Sequence, residues 1–453
     1  MTKGFLSESP SARALSLKVA IIVVMGLVFL IPLELVRGVI QERSERAQEV
    51  TQEIAGKWGA PQALRGPFLL LPAERSDPDN PNNAPSQRTL VLLPDDFAAS
   101  VETTTETRSR GIFDAEIYTA RVRLSGSFGE SSLDRALLDG GWRLRPGQAM
   151  LVFGLADPRG LQEDLSLIWD GKGVAAESGV AAGFLNLEGV RWPVQAFAGD
   201  SDDGFEIEMT LRGSAALSVL PVGRTSSLKI AGNWPSPSFD GATLPQIQEV
   251  SDSGFSAEWH ISHLSRPLPQ SWSSFKSPHL PWQEAGVGVR FLDPVDFYRL
   301  SERSVKYGAL FIALTFLVLF LFEVLLARAV HPIQYLMVGG ALVLFFLNLV
   351  AFAEVIGFAA AYAISGLVVA GMISLYAAAV LRRYLWGFVL FAVTGGLYSL
   401  LFLVLRLEEA ALLSGTLVLL VALGLTMFLT RKVDWYPPAA SAPGSVAAEE
   451  DRP

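Results

Sequence analysis

The sequence predicts an α+β membrane protein. We expect a six-helix transmembrane bundle, with one N-terminal and five C-terminal spans, and a large antiparallel β-rich, sandwich-like extracytoplasmic domain. An isolated apolar stretch lies near the N-terminus, and five more follow one another between Gly308 and Thr430. Each approaches the roughly 20 residues that a helix needs to cross a bilayer. The long region between the first and second stretches is rich in short alternating segments, which indicate strands.

Composition excludes several classes of function. The chain has 453 residues, a net charge of −9 and no cysteine. Disulfides, thiol catalysis and cysteine-ligated metals are therefore excluded. No basic stripe suits a nucleic-acid partner. No phosphate-binding loop, dinucleotide fingerprint or nucleophile elbow occurs. We therefore expect a protein that is not an enzyme and that has no cofactor or metal.

The N-terminal region predicts an uncleaved membrane anchor. Residues 1–17 are expected in the cytoplasm, because Lys3, Arg13 and Lys18 precede or begin the first span and positive charge favours the inside. The first transmembrane helix is predicted at 18–39. No small-x-small cleavage site follows it, so the segment is not expected to be removed as a signal peptide. Residues 40–307 are then predicted to form the periplasmic domain.

The five remaining spans return the chain to the cytoplasm. They are predicted at 308–326, 333–352, 357–381, 384–405 and 411–430, so that the bundle occupies 308–430. The turns expected inside carry Arg328, His331, Arg382, Arg383, Arg431 and Lys432, whereas those outside carry Glu354, Glu408 and Glu409. This asymmetry places both termini in the cytoplasm of a multi-pass protein. Residues 431–453 have no apolar period and are predicted to be a disordered tail.

The predicted periplasmic domain begins with a linker helix. Val50, Ile54 and Trp58 recur at a spacing of four, so one helix face is apolar. We expect this face to pack against the domain; contact with the membrane surface is the alternative. Strand patterns follow, as in the segment 117–124, where apolar and polar positions alternate. Turn residues between strands favour a sandwich or related fold, as one or two lobes.

A possible metal site is the histidine group. His260 and His263 form H-x-x-H, and His279 follows. Three imidazoles can bind zinc. In a strand, however, positions three apart point to opposite faces, and no H-E-x-x-H arrangement is present. Surface histidines engaged in hydrogen bonds are the preferred interpretation.

Polar residues within the spans are few. Glu323 is the main charged exception, and we expect Arg328 to pair with it or its side chain to extend to the interface. Asn348 is expected to form a hydrogen bond between helices. In the fourth span, small residues recur every fourth position, which permits close helix packing within the bundle; dimerisation is the alternative. These residues are Gly366, Ala370, Ser374 and Ala378.

Several segments together resemble one known family. They are GPFLLLP, NWPSPSFDGATLP, GVRFLDPVDFYRLSERSVKYGALFIALTFLVLFLFE, HPIQYLMVGGALVLF and TRKVDWY. Their order and sequence resemble the CreD family of bacterial inner-membrane proteins over nearly the whole chain. The resemblance implies an inner-membrane protein with a large periplasmic domain and a link to cell envelope integrity and the stress response. It implies no catalytic residues.

The join between domain and bundle carries part of this resemblance and supplies the first candidate functional positions. Asp293 and Asp296, followed by Arg303 and Lys306, are predicted to clamp the domain at the membrane surface; plain interfacial anchoring is the alternative. His331 is expected to cap the third span, and a partner-binding role is a further hypothesis. The candidate positions are Asp293, Asp296, Arg303, Lys306, Glu323, Arg328, His331 and Asn348.

The preferred function is non-enzymatic support of the cell envelope or of its stress response. Apart from membrane lipid, the expected partner is an envelope protein, glycan or lipid bound by the periplasmic domain. A permease or lipid-handling transporter is the alternative, in which Glu323 and Asn348 would line a polar path. A membrane-anchored periplasmic hydrolase is a third hypothesis.

Overall fold

The structure is a computed structural model that describes residues 12–76, 84–180, 182–197, 202–276, 285–291, 297–326, 330–381, 384–406 and 411–431. The chain divides into two compact units. The helical unit comprises Met1–Arg46 and Asp296–Pro453, and the β-rich unit comprises Ala47–Val295.

The described helices number eight. They are α1 Ala12–Val28, α2 Leu30–Trp58, α3 Phe297–Lys306, α4 Gly308–Leu326, α5 Pro332–Ile356, α6 Phe358–Leu381, α7 Tyr384–Arg406 and α8 Ala411–Thr430. The predicted linker helix is the last part of α2. Its Trp58 Nε1 donates to the Tyr118 carbonyl at 3.1 Å, so its apolar face packs against the β-rich unit as predicted.

The predicted count of six spans stays a prediction. Among the described residues, four helices are long and apolar enough to cross a membrane, and a fifth span results if α3 and α4 count together. These two helices meet at an angle of 47°. The segment Gly415–Thr430 is apolar but shorter. The sequence pattern predicted only the apolar helix from residue 308, and it did not predict the polar helix α3 that precedes it across a bend.

Eighteen strands lie in the described part of the β-rich unit. In chain order they are β1 Gln62–Arg75, β2 Ser86–Leu92, β3 Asp96–Arg110, β4 Phe113–Phe128, β5 Arg143–Leu144, β6 Ala149–Leu155, β7 Ser166–Trp169, β8 Lys172–Val174, β9 Glu177–Ser178, β10 Gly189–Val194, β11 Asp203–Ser214, β12 Ala216–Val219, β13 Thr225–Gly232, β14 Pro237–Gly241, β15 Ile247–Ser251, β16 Gly254–Ser262, β17 Ser271–Ser273 and β18 Val287–Phe291. Turns, loops and short 3-10 helices lie between the described strands.

The strands form two sheets. The ten-stranded sheet has the order β14-β18-β12-β1-β6-β10-β9, with β2 and β5 also paired to β1 and with β17 paired to β2. The eight-stranded sheet has the order β15-β16-β13-β3-β4-β11-β7-β8. A purely antiparallel fold was wrong, because β1–β12 and β3–β13 pair in parallel. Those partners are distant in sequence, and strand alternation carries no information on the direction of a distant neighbour.

The two sheets share one apolar core. Along β4, Ala120, Val122 and Leu124 are buried, whereas Arg121 and Arg123 are exposed, which matches the predicted alternation. Aromatic side chains join the sheets: the Tyr118 ring of β4 lies 5.0 Å from that of Phe291 in β18. Trp192 and Trp259 are fully buried. Burial of such large side chains is the main source of stability in a domain surrounded by water.

In the helical unit, small residues bring α6 and α7 together. A methyl group added at Gly387 of α7 would lie 2.5 Å from Ala378 Cβ and 2.9 Å from the Ser374 carbonyl oxygen, both on α6. Gly366 faces the Tyr398 ring of α7 in ordinary van der Waals range. The prediction that this stripe packs within the bundle is therefore confirmed.

Candidate functional site

A carboxylate close to the end of α5 receives three hydrogen bonds. Arg43 of α2 donates from Nε to Glu354 Oε1 at 2.8 Å and from Nη2 to Oε2 at 2.5 Å. The Tyr298 hydroxyl of α3 donates to Oε1 at 3.0 Å. Only 8% of the Glu354 side chain is exposed. Paired hydrogen bonds of this kind between arginine and carboxylate are strong and directional, so three helices are fixed at one point.

A second carboxylate, Glu323 of α4, also has a basic partner from the N-terminal segment. Lys18 of α1 pairs through Nζ with Glu323 Oε1, and the Tyr335 hydroxyl of α5 donates to Oε2 at 3.3 Å. The expected partner, Arg328, lies outside the described residues. The described partner was not anticipated because it is 305 residues away in the chain.

A third and more exposed group surrounds Glu302 of α3. Lys306 Nζ lies 3.2 Å from Glu302 Oε1, one helical turn away, and Arg37 Nη2 of α2 lies 3.4 Å from the same oxygen. Arg303 is half-buried on the same helix. Asp293 and Asp296 lie outside the described residues, so the predicted acidic half of the clamp stays a prediction. The described basic half belongs to the helical unit itself.

The same arrangement of charges occurs in all three groups. In each, a basic side chain of residues 12–46 meets a carboxylate of a C-terminal helix. Sequence reasoning missed Arg43, Tyr298 and Glu354 as a group because their contacts span up to 311 residues. The only local signal was Glu354 itself, a carboxylate next to an otherwise apolar stretch, where an unpaired charge is costly.

Two further candidate positions have simple surroundings. His331 is the N-cap of α5: its Nδ1 accepts from the Ile333 N–H at 3.3 Å, while the Gln334 side chain accepts from the His331 N–H at 3.1 Å. The predicted capping role is therefore confirmed, and a partner-binding role stays a prediction. Asn348 is half-buried in α5. The described residues give it no hydrogen bond to another helix, contrary to the expectation.

The β-rich unit offers a different kind of site, the terminal strand β15. It lies at one end of the eight-stranded sheet and pairs only with β16 among the described strands. All five of its residues are exposed, including Ile247 (54%) and Val250 (52%). Leu244, just before the strand, is exposed as well. Proteins usually blunt such edges with charge or proline, but this strand carries a single charged residue, Glu249.

The edge strand is held in place by its hairpin partner. Before it, the Gln246 side chain donates to the His260 carbonyl at 3.1 Å and accepts from the His260 N–H at 2.9 Å. After it, Ser251 Oγ donates to the Gly254 carbonyl at 3.1 Å. Beneath it, Trp259 is buried and donates from Nε1 to the Thr243 carbonyl at 3.1 Å. The unpaired side of β15 is thus presented in an ordered, extended form.

The charged side chains of the strands next to this edge form a local ion pair. Lys229 Nζ lies 2.8 Å from Glu258 Oε1, and its hydrogen bond holds the pKa of Glu258 below its usual value. Glu258 is the partner of Ile247 in the β15–β16 register. Glu258 is therefore paired, and β15 itself presents its backbone groups, the apolar side chains of Ile247 and Val250 and one charged side chain, Glu249.

The histidines do not assemble a metal site in the described chain. His260 is exposed on β16, with Nδ1 3.4 Å from Ser227 Oγ. His263 begins a short 3-10 turn, and His279 lies outside the described residues. Nowhere in the part of the chain that the structure describes do three or more histidine, aspartate or glutamate side chains gather as metal ligands would.

Comparison with known proteins places nearly the whole chain in one family. A family model described as "Inner membrane protein CreD" matches residues 14–436. The chain is also similar to the inner membrane protein CreD of Escherichia coli (strain K12), with 33% identity over 436 residues. That similarity covers 94% of each chain. The apolar helices of the helical unit agree with a location in the inner membrane.

Proposed function

The chain belongs to the CreD family of multi-pass inner membrane proteins, and from this premise we propose that its β-rich unit binds a protein of the bacterial envelope. The binding supports envelope integrity or the envelope stress response without catalysis. In this proposal the chain crosses the membrane six times, both termini are cytoplasmic, and the sandwich-like β-rich unit lies in the periplasm.

The observation that carries the proposal is the exposed edge of β15. A strand at the end of a sheet has a row of backbone N–H and C=O groups without partners, and another chain can pair with them. Ile247 and Val250 point to opposite sides of the strand, because side chains alternate. A partner strand would therefore gain backbone hydrogen bonds and apolar contacts on both faces of the sheet.

The helical unit favours an anchoring role over transport. Glu323 and Glu354 are its two carboxylates best shielded by described neighbours, and each is paired with a basic residue and a tyrosine hydroxyl. A polar path needs groups that can exchange partners with a solute. Paired carboxylates that tie the N-terminal segment to the bundle instead support a structural role.

One observation favours lipid handling as a second candidate. An apolar cavity of about 460 Å³ lies between the N-terminal helices and α4, lined by residues that include Ile22, Gly26, Ala313 and Phe316. An acyl chain fits such a lining. Positions 323 and 348 lie outside this lining, and water-accessibility labelling there tests the transport alternative, because a transport path would admit a water-soluble thiol reagent to cysteines placed at both positions. The absence of natural cysteines makes each single-cysteine variant a clean probe.

The proposal is tested by photo-crosslinking in living cells. A photoreactive amino acid at position 247 or 250 should capture a discrete envelope protein, whereas one at Ile168 of β7, also apolar and exposed, should not. Val250→Lys should abolish capture from position 247 with normal protein levels, because charge on an edge opposes strand pairing. Ile168→Lys is the matched control. Capture of only neighbouring copies, or equal capture from position 168, would contradict the proposal.

A further inference from the structure

An arginine cluster in the ten-stranded sheet is not explained by the edge-strand proposal. The guanidinium carbon of Arg88 in β2 lies 4.2 Å from the centre of the Trp142 ring, and that of Arg75 in β1 lies 5.3 Å from the same centre. Arg143 follows directly on β5, paired in register with Glu74 of β1. Two guanidinium groups therefore lie against one indole, and a third arginine, Arg143, follows this indole in the sequence.

The backbone presents this indole in a defined way. Gly140 and Gly141 both adopt positive φ, 83° and 84°, which L-residues rarely tolerate. The turn they form leads into Trp142 and then into the short strand β5, which is hydrogen-bonded to β1. A methyl group added at Gly140 would lie 3.7 Å from Arg75 Nη1, so this turn lies within ordinary van der Waals range of the guanidinium.

The positive charge of the cluster is not balanced by the described carboxylates. Glu74 is occupied: Arg145 lies 2.9 Å from its Oε2 through Nε and 2.7 Å through Nη2. Gln87 donates to the other oxygen at 3.3 Å. Among the described residues, neither Arg75 nor Arg88 has a carboxylate partner. Burial, and then the nearby Arg75 charge, lower the pKa of Arg88.

The hydrogen-bond donors of Arg88 also lack acceptors. Its Nε and Nη2 are buried, and no hydrogen bond to them is present in the described chain. Stacking of arginine on tryptophan is favourable by itself. However, stacking on Trp142 would need only one arginine, and it leaves the buried N–H groups of Arg88 without acceptors, which is costly. Packing alone therefore explains the stacked arrangement, but it does not explain the unpaired N–H donors.

We propose that Arg75, Arg88 and Trp142 form a binding site for a phosphate group. A phosphate offers several acceptor oxygens and up to two negative charges, which match two forked guanidinium groups better than a single carboxylate does. Trp142 fixes the orientation of both arginines from their apolar side. The site lies in a different sheet from β15, so it stands apart from the edge-strand proposal.

Calorimetry on the full chain in nanodiscs of phosphatidylcholine tests the site. Inorganic pyrophosphate and monomeric dihexanoyl phosphatidic acid are the probes, titrated separately so that a free phosphate and a lipid headgroup can be distinguished. Binding of either probe should weaken at least about tenfold in Arg88→Gln, because a charge-assisted hydrogen bond is lost. Binding should be undetectable in the Arg75→Gln/Arg88→Gln double variant.

The matched control removes two arginines that already have carboxylate partners in the same unit. Arg123 lies 2.6 Å from Glu208, and Arg191 lies 2.8 Å from Glu177. Arg123→Gln/Arg191→Gln changes the net charge equally and should bind as the unmodified chain does. Arg88→Lys keeps the charge without the fork and should bind with intermediate strength. No binding of either probe, or equal weakening in the control, would overturn the site and leave the crosslinking test of β15 unaffected.

Discussion

The helical unit and the β-rich unit bury their side chains by opposite rules. Along β3, buried and exposed residues alternate without exception from Asp96 to Thr105. In the helices, large apolar side chains such as Leu367, Leu375 and Leu420 are exposed at the surface of the unit. Water drives apolar groups inward only where water is the solvent. A helix surrounded by lipid gains little by hiding a leucine.

The internal packing of each unit is therefore stabilised by different interactions. The β-rich unit has a continuous core made from both sheets. The helical unit relies on close backbone approach at Gly387, on aromatic packing such as the 4.6 Å contact between the Phe345 and Tyr398 rings, and on the ion pairs of its N-terminal segment. In lipid, such packing and polar contacts replace the hydrophobic effect as the source of specificity.

The largest effect is expected from emptying the β-rich core. Trp259→Ala removes a fully buried indole that packs 6.1 Å from the Phe239 ring, and it should destabilise that unit by about 4 kcal/mol. Hydrogen exchange read by mass spectrometry can follow each unit of the full chain separately. Leu264→Ala, at a side chain that is 86% exposed, is the control and should change almost nothing. Equal loss of protection in both variants would contradict the comparison.

Removing one side of the Glu354 pair should rank second. Arg43→Gln removes the cationic partner of Glu354, whose side chain is only 8% exposed. We expect the free energy of unfolding to fall by about 3 kcal/mol, less than for a fully buried pair because Arg43 is itself half-exposed. Faster hydrogen exchange should appear in the α2 and α5 peptides. Arg37→Gln, whose partners are exposed and lie at 3.4 and 3.7 Å, should cost less than about 1 kcal/mol. Equal costs would mean that burial does not strengthen the Arg43 pair.

Close helix packing provides the third comparison. Gly387→Ala forces α6 and α7 apart, because the new methyl group would lie 2.9 Å from a backbone oxygen that cannot move alone; we expect about 2 kcal/mol of destabilisation. Thermal unfolding of the full chain in detergent measures this loss. Gly371→Ala on α6 meets open space and should be neutral or slightly stabilising, since alanine favours helix more than glycine does. A neutral Gly387→Ala would show that the two helices tolerate separation.

The sequence predicts features that depend on neighbouring residues better than it predicts contacts between distant ones. Local periodicity was sufficient for the apolar helices, for the alternation in β4 and for the cap at His331, because each depends on neighbours within a few residues. Contacts between distant residues were missed. Lys18 meets Glu323, and β1 pairs in parallel with β12, only because the whole chain folds. The cluster around Trp142 likewise requires three separate strands, so no spacing in the sequence reveals it.

The smallest effect concerns a carboxyl group in the β-rich unit and depends on pH. Burial raises the pKa of Asp203 to about 6, with the nearby Asp170 charge adding to the shift, although Oδ2 accepts the Phe197 N–H at 2.7 Å. Between the unfolded value near 4 and about 6, the folded state binds the proton more tightly, so stability falls as pH rises through this window.

Asp203→Asn removes this penalty while keeping an acceptor for the Phe197 N–H. We expect it to stabilise the β-rich unit by about 1 kcal/mol at pH 7.5 and to have no effect at pH 4, measured by hydrogen exchange corrected for the intrinsic pH dependence. Asp157→Asn should do the reverse, because hydrogen bonds from Arg159 lower the pKa of Asp157 and its contribution is present only above that range. If the stability of both variants changed with pH in the same direction, burial of Asp203 and the hydrogen bonds from Arg159 to Asp157 would not explain the opposite pKa shifts of these two carboxylates.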